Sequence, residues 1–320
     1  MQSWSSNINY YELSDKYCIV KANPQEFAIY ESVYGDKVYN RFAVKHWDLR
    51  LAISLDNPFA KYESFYWIKA GELRIGGVLI EPNVLSRLFI IPPFTNLFEI
   101  IKLLKKLLIE WSDSSKNIYA YQISKEQSQY FEMLGFWADK NRRWMMRPTE
   151  VFDFDYDNTI IVKTPEESNN EEIAKLFYES FRGGIDYQYA AKQDGQECTY
   201  DGYLSEVNEY FNICTEEILR EASTLIYDKA EKKLIGACLV ACIEEWPLVY
   251  TIGVNPSYRG NHLATTMIKK ALTVLNNNQY TILRLFVTVG NFSESVYYEL
   301  GFVPGAEFKR FYIPALIRQE

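Results

Sequence analysis

Between 249 and 272 the chain joins a strand, a polar turn and a helix start in an order that suits an anionic ligand. The apolar run Val249-Tyr250-Thr251-Ile252-Gly253-Val254 leads into Asn255-Pro256-Ser257-Tyr258. It turns through Arg259-Gly260-Asn261-His262-Leu263-Ala264 and opens at once into an amphipathic helix. The first main-chain N–H groups of a helix have no internal acceptor, and the helix dipole adds positive potential there. Strand, loop and helix start therefore form a cradle for phosphate, with Arg259 beside it. Glu244 and Glu245 stand in the turn before this strand. A carboxylate there reaches a bound amine directly or through one water; adjacent acids in a turn also occur simply as solvated charge. The segment 183–203 is crowded with Asp186, Tyr187, Tyr189, Asp194, Glu197, Tyr200 and Asp201. Such a wall suits an amine through charge and cation–π contact, and is equally the make-up of a surface loop without a role.

A second segment follows the same order of elements. A strand over 280–289 carries Leu283, Leu285, Val287 and Val289, then come Asn291 and a helix over 293–300 ended by Gly301-Phe302. Together the two segments resemble the GNAT superfamily of N-acyltransferases. The acyl-CoA loop of that family reads Arg or Gln, two residues, Gly, one residue, then Gly or Ala. Arg259 fills the first position and Ala264 the last, and His262 stands where the family has its central glycine. The later segment resembles the family's Asn, Ala-x-x-Leu-Tyr, Leu-Gly-Phe run. Counted back from Gly301 the tyrosine is Tyr297; counted forward from Asn291 it is Tyr298. The helix phase set by the Gly301 cap favours Tyr297.

The resemblance implies a set of roles. Arg259, Gly260, Asn261, His262, Leu263 and Ala264 would hold the pyrophosphate of acetyl-CoA. The pantetheine arm of CoA would lie along Ile252, Gly253 and Val254, where a main-chain N–H also meets the developing oxyanion. Asn291 would contact the arm, and Tyr297 would protonate the departing sulfur. Glu244 or Glu245 is the candidate base, and Asp186, Tyr187 and Tyr189 wall the acceptor pocket.

Composition narrows the class. With 48% hydrophobic and 24% charged residues the chain reads as a globular protein large enough for two domains. The longest apolar run, 100–111, is interrupted by Lys102, Lys105 and Lys106, so no membrane span is expected. The first residues show no basic region followed by an apolar core, which gives the expectation of no secretion signal. Five widely spaced cysteines suggest reduced thiols in a cytoplasmic protein. With only two histidines no metal site is expected, and Cys238 and Cys242 read as small buried hydrophobes on one strand face. The net charge of −8 is uneven: residues 1–150 balance at +2 and the rest at −10. The acidic half bears the motifs, which argues against nucleic acid as a partner and for a cationic amine.

The chain repeats itself once. Tyr130-Phe131-Glu132-Met133-Leu134-Gly135-Phe136 echoes Tyr297-Tyr298-Glu299-Leu300-Gly301-Phe302, and each is followed by a basic-aromatic strand. Strands are expected over 17–22, 65–70, 74–81, 87–91 and 118–123, with two helical segments up to about 55 and helices over 95–111 and 126–134. The second half repeats this with strands over 159–163, 224–228 and 234–243, and helices over 170–181 (capped by Asn170) and 204–221. Residues 152–158 alternate aromatic and acid, as a linker or an edge strand. The division is expected there, into 1–152 and 153–320. In the first half Pro92-Pro93 remove two N–H donors where the cradle would form, and Phe131 replaces the tyrosine. That half is expected to be a degenerate copy serving packing, pocket walls or a homodimer interface.

The expected fold is a mixed α/β sheet in two tandem GNAT-like domains, the second catalytic. The expected function is an acetyl-CoA-dependent N-acetyltransferase acting on a primary amine of a small molecule. A non-catalytic acyl-CoA or amine-binding module is the alternative. A Fem-type aminoacyl transferase fits less well, because the acidic half does not suit tRNA.

Overall fold

The computed structural model of the chain describes residues 3–35, 64–191, 198–243 and 246–315. The chain divides into two compact units, Met1–Arg142 with Ala306–Glu320, and Arg143–Gly305.

In the first unit β1 (Tyr10–Glu12) and β2 (Tyr17–Lys21) precede helix α1 (Pro24–Tyr34), whose first turn is capped by the Asn23 side chain. Strands β3 (Phe65–Ala70), β4 (Leu73–Glu81) and β5 (Val84–Ile90) follow, then α2 (Leu97–Trp111), β6 (Ile118–Ser124) and α3 (Lys125–Met133). Helix α2 buries Ile100, Ile101, Leu104, Leu107, Leu108 and Trp111, a stripe at helical spacing that covers one face of the sheet. The strand order is β1-β2-β3-β4-β5-β6, antiparallel except for the parallel pair β5/β6. The place beside β6 is taken by the last strand of the chain, Val303–Ile313, antiparallel from Phe308↔Ser124 to Ile313↔Ile118.

In the second unit β7 (Trp137–Pro148, from Arg143 onward) is followed by β8 (Ile160–Lys163), α4 (Asn170–Phe181), α5 (Ile185–Ala191), α6 (Tyr200–Ile213) and α7 (Glu217–Ala222). Then come β9 (Thr224–Asp228), β10 (Leu234–Ile243), β11 (Trp246–Val254), α8 (Leu263–Asn277), β12 (Ile282–Thr288) and α9 (Ser293–Glu299). The last strand, β13, is the one described above. The order here is β8-β9-β10-β11-β12-β7, and β11/β12 is again a parallel pair. Each unit has its own core. One is built on Ile68, Ile80, Ile101, Leu104 and Phe131, the other on Phe177, Leu239, Ile268, Leu272 and Leu283.

The duplication is visible in local geometry. Gly135 and Gly301 both take left-handed φ, +76° and +81°, to end α3 and α9. The N–H of Phe136 bonds the Phe131 carbonyl at 3.0 Å, and that of Phe302 bonds the Tyr297 carbonyl at 2.9 Å. Among the described residues the expected elements are present with shifted ends, with the following differences. Residues 185–191 form a helix inside the segment read as a loop. The helical region 204–221 is two helices broken before Glu217. Asn169, not Asn170, occupies the N-cap position of α4, without a side-chain cap bond, because a 3₁₀ turn over Glu167–Asn169 leads into the helix. Residues 152–158 form no strand. The second helical segment expected before 55 lies outside the described residues.

The compact units also change over at Arg143 and Ala306, not at 152/153. After each Leu-Gly-Phe turn the chain lays its strand into the other unit's sheet, which no local pattern encodes. Residues 149–152 are tied into the second unit: Thr149 N–H donates to the Thr281 carbonyl (3.0 Å) and Phe152 N–H to Thr273 Oγ1 (3.0 Å). A fragment 153–320 lacks β7 and carries a strand that pairs with β6. Such a fragment is expected to show no cooperative thermal transition by circular dichroism, while the full chain melts cooperatively. A sharp native-like transition in the fragment would count against the exchange.

Candidate active site

The site is built where β11 leaves β12. The two strands pair only at Leu248↔Arg284 and Val249↔Leu285, then run on to Val254 and Thr288 without pairing among the described residues. The cause lies on the other edge of β11. Against β10 the register steps from Leu239↔Thr251 to Val240↔Val249, which leaves Tyr250 as an extra residue, a β-bulge. A bulge bends its strand and increases twist, so β11 swings away from β12 and presents an open main-chain edge from Tyr250 to Val254. Ile252, Gly253 and Val254, the residues expected to meet the arm, lie on this stretch. Gly253 is required by packing: a Cβ there would stand 2.9 Å from Phe177 Cδ1 of α4.

Beyond Val254 the chain is pinned to α4. Asn255 Oδ1 accepts the Ser257 N–H (3.1 Å), Asn255 Nδ2 donates to Glu179 Oε2 (3.2 Å), and Arg259 Nη2 donates to the Ser180 carbonyl (2.5 Å). Arg259 is exposed, with one guanidinium nitrogen committed to the end of α4. The turn that follows is concave. Gly260 has φ +84° and His262 φ +55°, and alternating left-handed residues direct successive N–H groups to one point. Among the described residues none of the N–H groups from Gly260 to Thr265 has a hydrogen-bond acceptor. This run spans Asn261, His262, Leu263 and Ala264 and ends in the first turn of the fifteen-residue helix α8. His262 takes a left-handed backbone, which glycine takes freely and histidine takes at some cost, so the departure from glycine is not explained by conformation. An extended open edge running into six free donors fits a linear ligand with a diphosphate at one end.

The other wall comes from β12 and α9. Asn291 closes the turn after β12, its Oδ1 accepting from the Ser293 N–H (3.0 Å) and hydroxyl (2.7 Å). The Gly301 cap turns Tyr297 inward and Tyr298 outward, 6% against 46% exposed. The Tyr297 ring packs edge-on against Phe302 at 6.0 Å. Burial pushes the Tyr297 hydroxyl up to about 12, Ser293 draws it back in part, and Cys238 raises it. It is therefore protonated throughout the neutral range.

Of the acids and aromatics in 183–203, Asp186 accepts a hydrogen bond from the Thr288 hydroxyl at the end of β12 (2.6 Å). That bond fastens α5 to the end of β12. Tyr187 is half-buried on the same helix; Tyr189 belongs to it, with its side chain outside the described residues. Glu244 and Glu245 also lie outside the described residues.

Two acids escaped the sequence reading. Glu206 and Glu209 stand one turn apart on α6. The Thr251 hydroxyl bonds the Glu206 carboxylate, and the Tyr250 hydroxyl donates to the Glu206 carbonyl at 3.4 Å. Strand alternation would send Tyr250 and Thr251 to opposite faces; the bulge lets both reach one helix. Burial, then the neighbouring Glu206, hold the Glu209 carboxyl above its ordinary range, and burial with both acids raises the Tyr250 hydroxyl. An i, i+3 pair of acids on a helix usually marks a solvated face, so only the contact with the bulge distinguishes this one. All five cysteines are free thiols, and among the described residues no group of three or more His, Cys, Asp or Glu is placed to hold a metal ion. No described helix is long and apolar enough to cross a membrane.

The sequence profile of the Acetyltransferase (GNAT) family matches residues 187–302, the stretch that holds β11, the turn and α8. Residues 187–302 form a GNAT acetyltransferase domain. Solved structures share the fold of the longer chain. A GCN5-related N-acetyltransferase from Sphaerobacter thermophilus is 14% identical with a TM-score of 0.67, over 95% of this chain and 97% of that one. A tandem GNAT protein from the clavulanic acid biosynthesis pathway is 11% identical with a TM-score of 0.51, over 94% and 98%. A GCN5-related glucosamine N-acetyltransferase region of a fungal multi-domain β-N-acetylglucosaminidase is 9% identical with a TM-score of 0.61, over 94% of this chain and 38% of that one. Curated protein sequences give no match. GNAT-fold neighbours thus cover nearly the whole chain, in keeping with two tandem GNAT-like units. Family and fold support acyl-CoA-dependent acetyl transfer.

The GNAT cradle yields two stability tests. His262→Gly should hold or raise the melting temperature, because the left-handed cost of about 1–2 kcal/mol for an L-residue outweighs a glycine entropy cost of roughly 0.5–1 kcal/mol. His262→Val should lower it, and calorimetry showing the reverse order would mean that side-chain contacts, not φ, govern this position. Gly253→Ala should destabilise by about 1–3 kcal/mol through overpacking against Phe177.

Proposed function

We propose that the second unit transfers an acetyl group from acetyl-CoA to a primary amine of a small molecule by direct attack of the amine on the thioester. The observation that carries this reading is the continuity of the open β11 edge with the unsatisfied N–H groups of Gly260–Thr265. Acetyl-CoA supplies the thioester carbon and the thiolate leaving group. The N–H groups of the cradle and the start of α8 take the diphosphate, and Arg259 adds charge at its rim. The edge at Ile252–Val254 pairs with the extended arm, as an added strand would. A main-chain N–H of that edge faces the acyl oxygen as negative charge develops on it. Asn291 lines the arm from the end of β12.

Proton movement falls to side chains. Glu209, made more basic by burial and by Glu206, takes the amine proton as the N–C bond forms. Tyr297, held protonated, gives its proton to sulfur as the C–S bond breaks. Asp186, Tyr187 and Tyr189 on α5, with the acids of α6, draw a cationic amine to the opening between the strands. Burial of Tyr297 in the core also favours a second reading, a module that binds acyl-CoA without turnover. Release of free thiol with any member of an amine panel decides between them.

Isothermal titration should show acetyl-CoA binding in the micromolar range, weakened by Arg259→Ala. No binding by folded protein would remove the assignment. Tyr297→Phe should lower kcat by roughly 10²-fold with cofactor affinity little changed. The pH profile carries a sign. Glu209 acts ionised, so activity rises with pH through its raised pKa. Glu206→Gln removes the like charge, lowers that pKa and moves the acid limb of kcat/KM to lower pH. A limb that stays in place or moves up would clear the pair of this role.

A further inference from the structure

The helix that carries Tyr297 is short, and two arginines of the exchanged strand hold it. Helix α9 spans Ser293–Glu299, two turns, a length with little stability of its own. Arg143 and Arg147 lie four residues apart on β7, on one face of the strand. At the N-terminal end of the helix, Arg143 Nε stands 3.3 Å from Glu294 Oε1, and the other Glu294 oxygen accepts the Gly290 N–H at 2.6 Å. Arg143 Nη1 also donates to the Tyr298 hydroxyl at 3.3 Å. At the C-terminal end, Arg147 Nη1 donates to the Leu300 carbonyl, where a cation also complements the helix dipole. Arg147 is itself fixed by Glu150 (2.6 Å) and lies over the Phe152 ring at 4.9 Å. The Arg143, Arg147 and Glu294 side chains are mostly buried, at 16%, 11% and 14% exposed. Removing one partner of a pair buried to that extent leaves the other charge poorly solvated, which costs more than at the surface.

By chain order this strand belongs to the first half. It follows the Gly135-Phe136 turn as β13 follows Gly301-Phe302, and β13 has gone to pair with β6. The first half has meanwhile closed its own opening. Beyond Val84↔Tyr119 and Leu85↔Ala120, strands β5 and β6 also part, but Gln127 crosses the gap, donating to the Leu88 carbonyl (2.9 Å) and accepting the Ser124 N–H (3.2 Å).

We propose that Arg143 and Arg147 are positioning residues for acyl transfer. They fix α9 at both ends, set where the Tyr297 hydroxyl stands, and thereby give the first half of the chain a part in catalysis without a working site of its own. The role rests on the acid function given to Tyr297 above.

The test uses the full chain with Arg147→Ala, Arg147→Lys and Arg143→Ala, each alone and combined with Tyr297→Phe. Arg147→Ala should lower kcat roughly 10- to 100-fold, the range that misplacing a catalytic group produces, with the KM for acetyl-CoA within about threefold. Arg147→Lys should recover part of the loss, since an ammonium still donates to the Leu300 carbonyl. In the Tyr297→Phe background the arginine changes should cost nothing further, the non-additivity of residues acting through one group. Amide hydrogen exchange at 300–302 should quicken in Arg147→Ala whether or not the protein turns over. Should Arg147→Ala not fold, Glu294→Gln releases Arg143 from the opposite side and reads the same two quantities. Unchanged exchange overturns the clamp, and an equal kcat loss in both backgrounds overturns its link to Tyr297. Quickened exchange in a protein whose Tyr297→Phe variant turns over normally would instead sink the acid role and leave the clamp.

Discussion

The site hangs on one extra residue in β11. If Tyr250 were absent from the ladder, β11 would continue in register against β10, and nothing would pull it from β12. With it, β11 bends and leaves main-chain donors and acceptors facing an opening. Unpaired strand edges are usually covered or blunted, so an open one inside a sheet invites an extended ligand. The bulge is supported from behind by buried polar groups. The Val240 N–H, next to the step, donates to the Ser223 hydroxyl at 2.8 Å, and that hydroxyl lies 2.9 Å from the Tyr210 hydroxyl. The Tyr210 ring packs against Tyr250 at 5.8 Å. Satisfied networks of this sort specify one arrangement, and here that arrangement is the opening itself.

The two units show the same parting of parallel strands met in different ways. Four residues before the buried aromatic of each helix, Phe131 or Tyr297, lies Gln127 in one unit and Ser293 in the other. The glutamine is long enough to cross between the strands and satisfy the Leu88 carbonyl. The serine is too short for that and turns to Asn291. Phe131, fully buried, stacks on Phe311 at 5.5 Å and has no hydroxyl to offer. With Gln127 across the gap, a side chain bridges the two strands where they part.

Elements set by local periodicity and caps were legible in the sequence. The stripe of α2, the Gly135 and Gly301 caps and the loop into α8 all follow from residue types a few positions apart. What depends on a distant partner was not. The bulge at Tyr250 has no glycine or proline to mark it, and so the approach of Glu206 and Glu209 to Thr251 and Tyr250 stayed hidden. The exchange of β7 and β13 is a choice between two sheets that offer similar edges to similar strands. The plug at Gln127 reads in sequence only as a capping box with Ser124, because its second bond goes to a strand 39 residues earlier. Helix α5 was missed since Asp186, Tyr187 and their neighbours have turn-like and aromatic character; the Thr288 contact and the start of β12's exit hold it in place.

On the proposed reading, a strongly acidic half must accept an anionic diphosphate. Side-chain cations clustered at the loop would do it, but they would also cancel the acids that attract an amine. In that reading main-chain dipoles take the phosphate instead, with Arg259 adding full charge at the rim. Helix-terminus potential fades within a turn, so the N–H groups of Gly260–Thr265 act on a phosphate in contact with them and on little else. Full charges on Asp186, Glu206 and Glu209 reach about a Debye length, roughly 8–10 Å, and farther through the protein than through salt water. On that reading, short-range attraction for the anion and longer-range attraction for the cation would occupy one unit without neutralising each other.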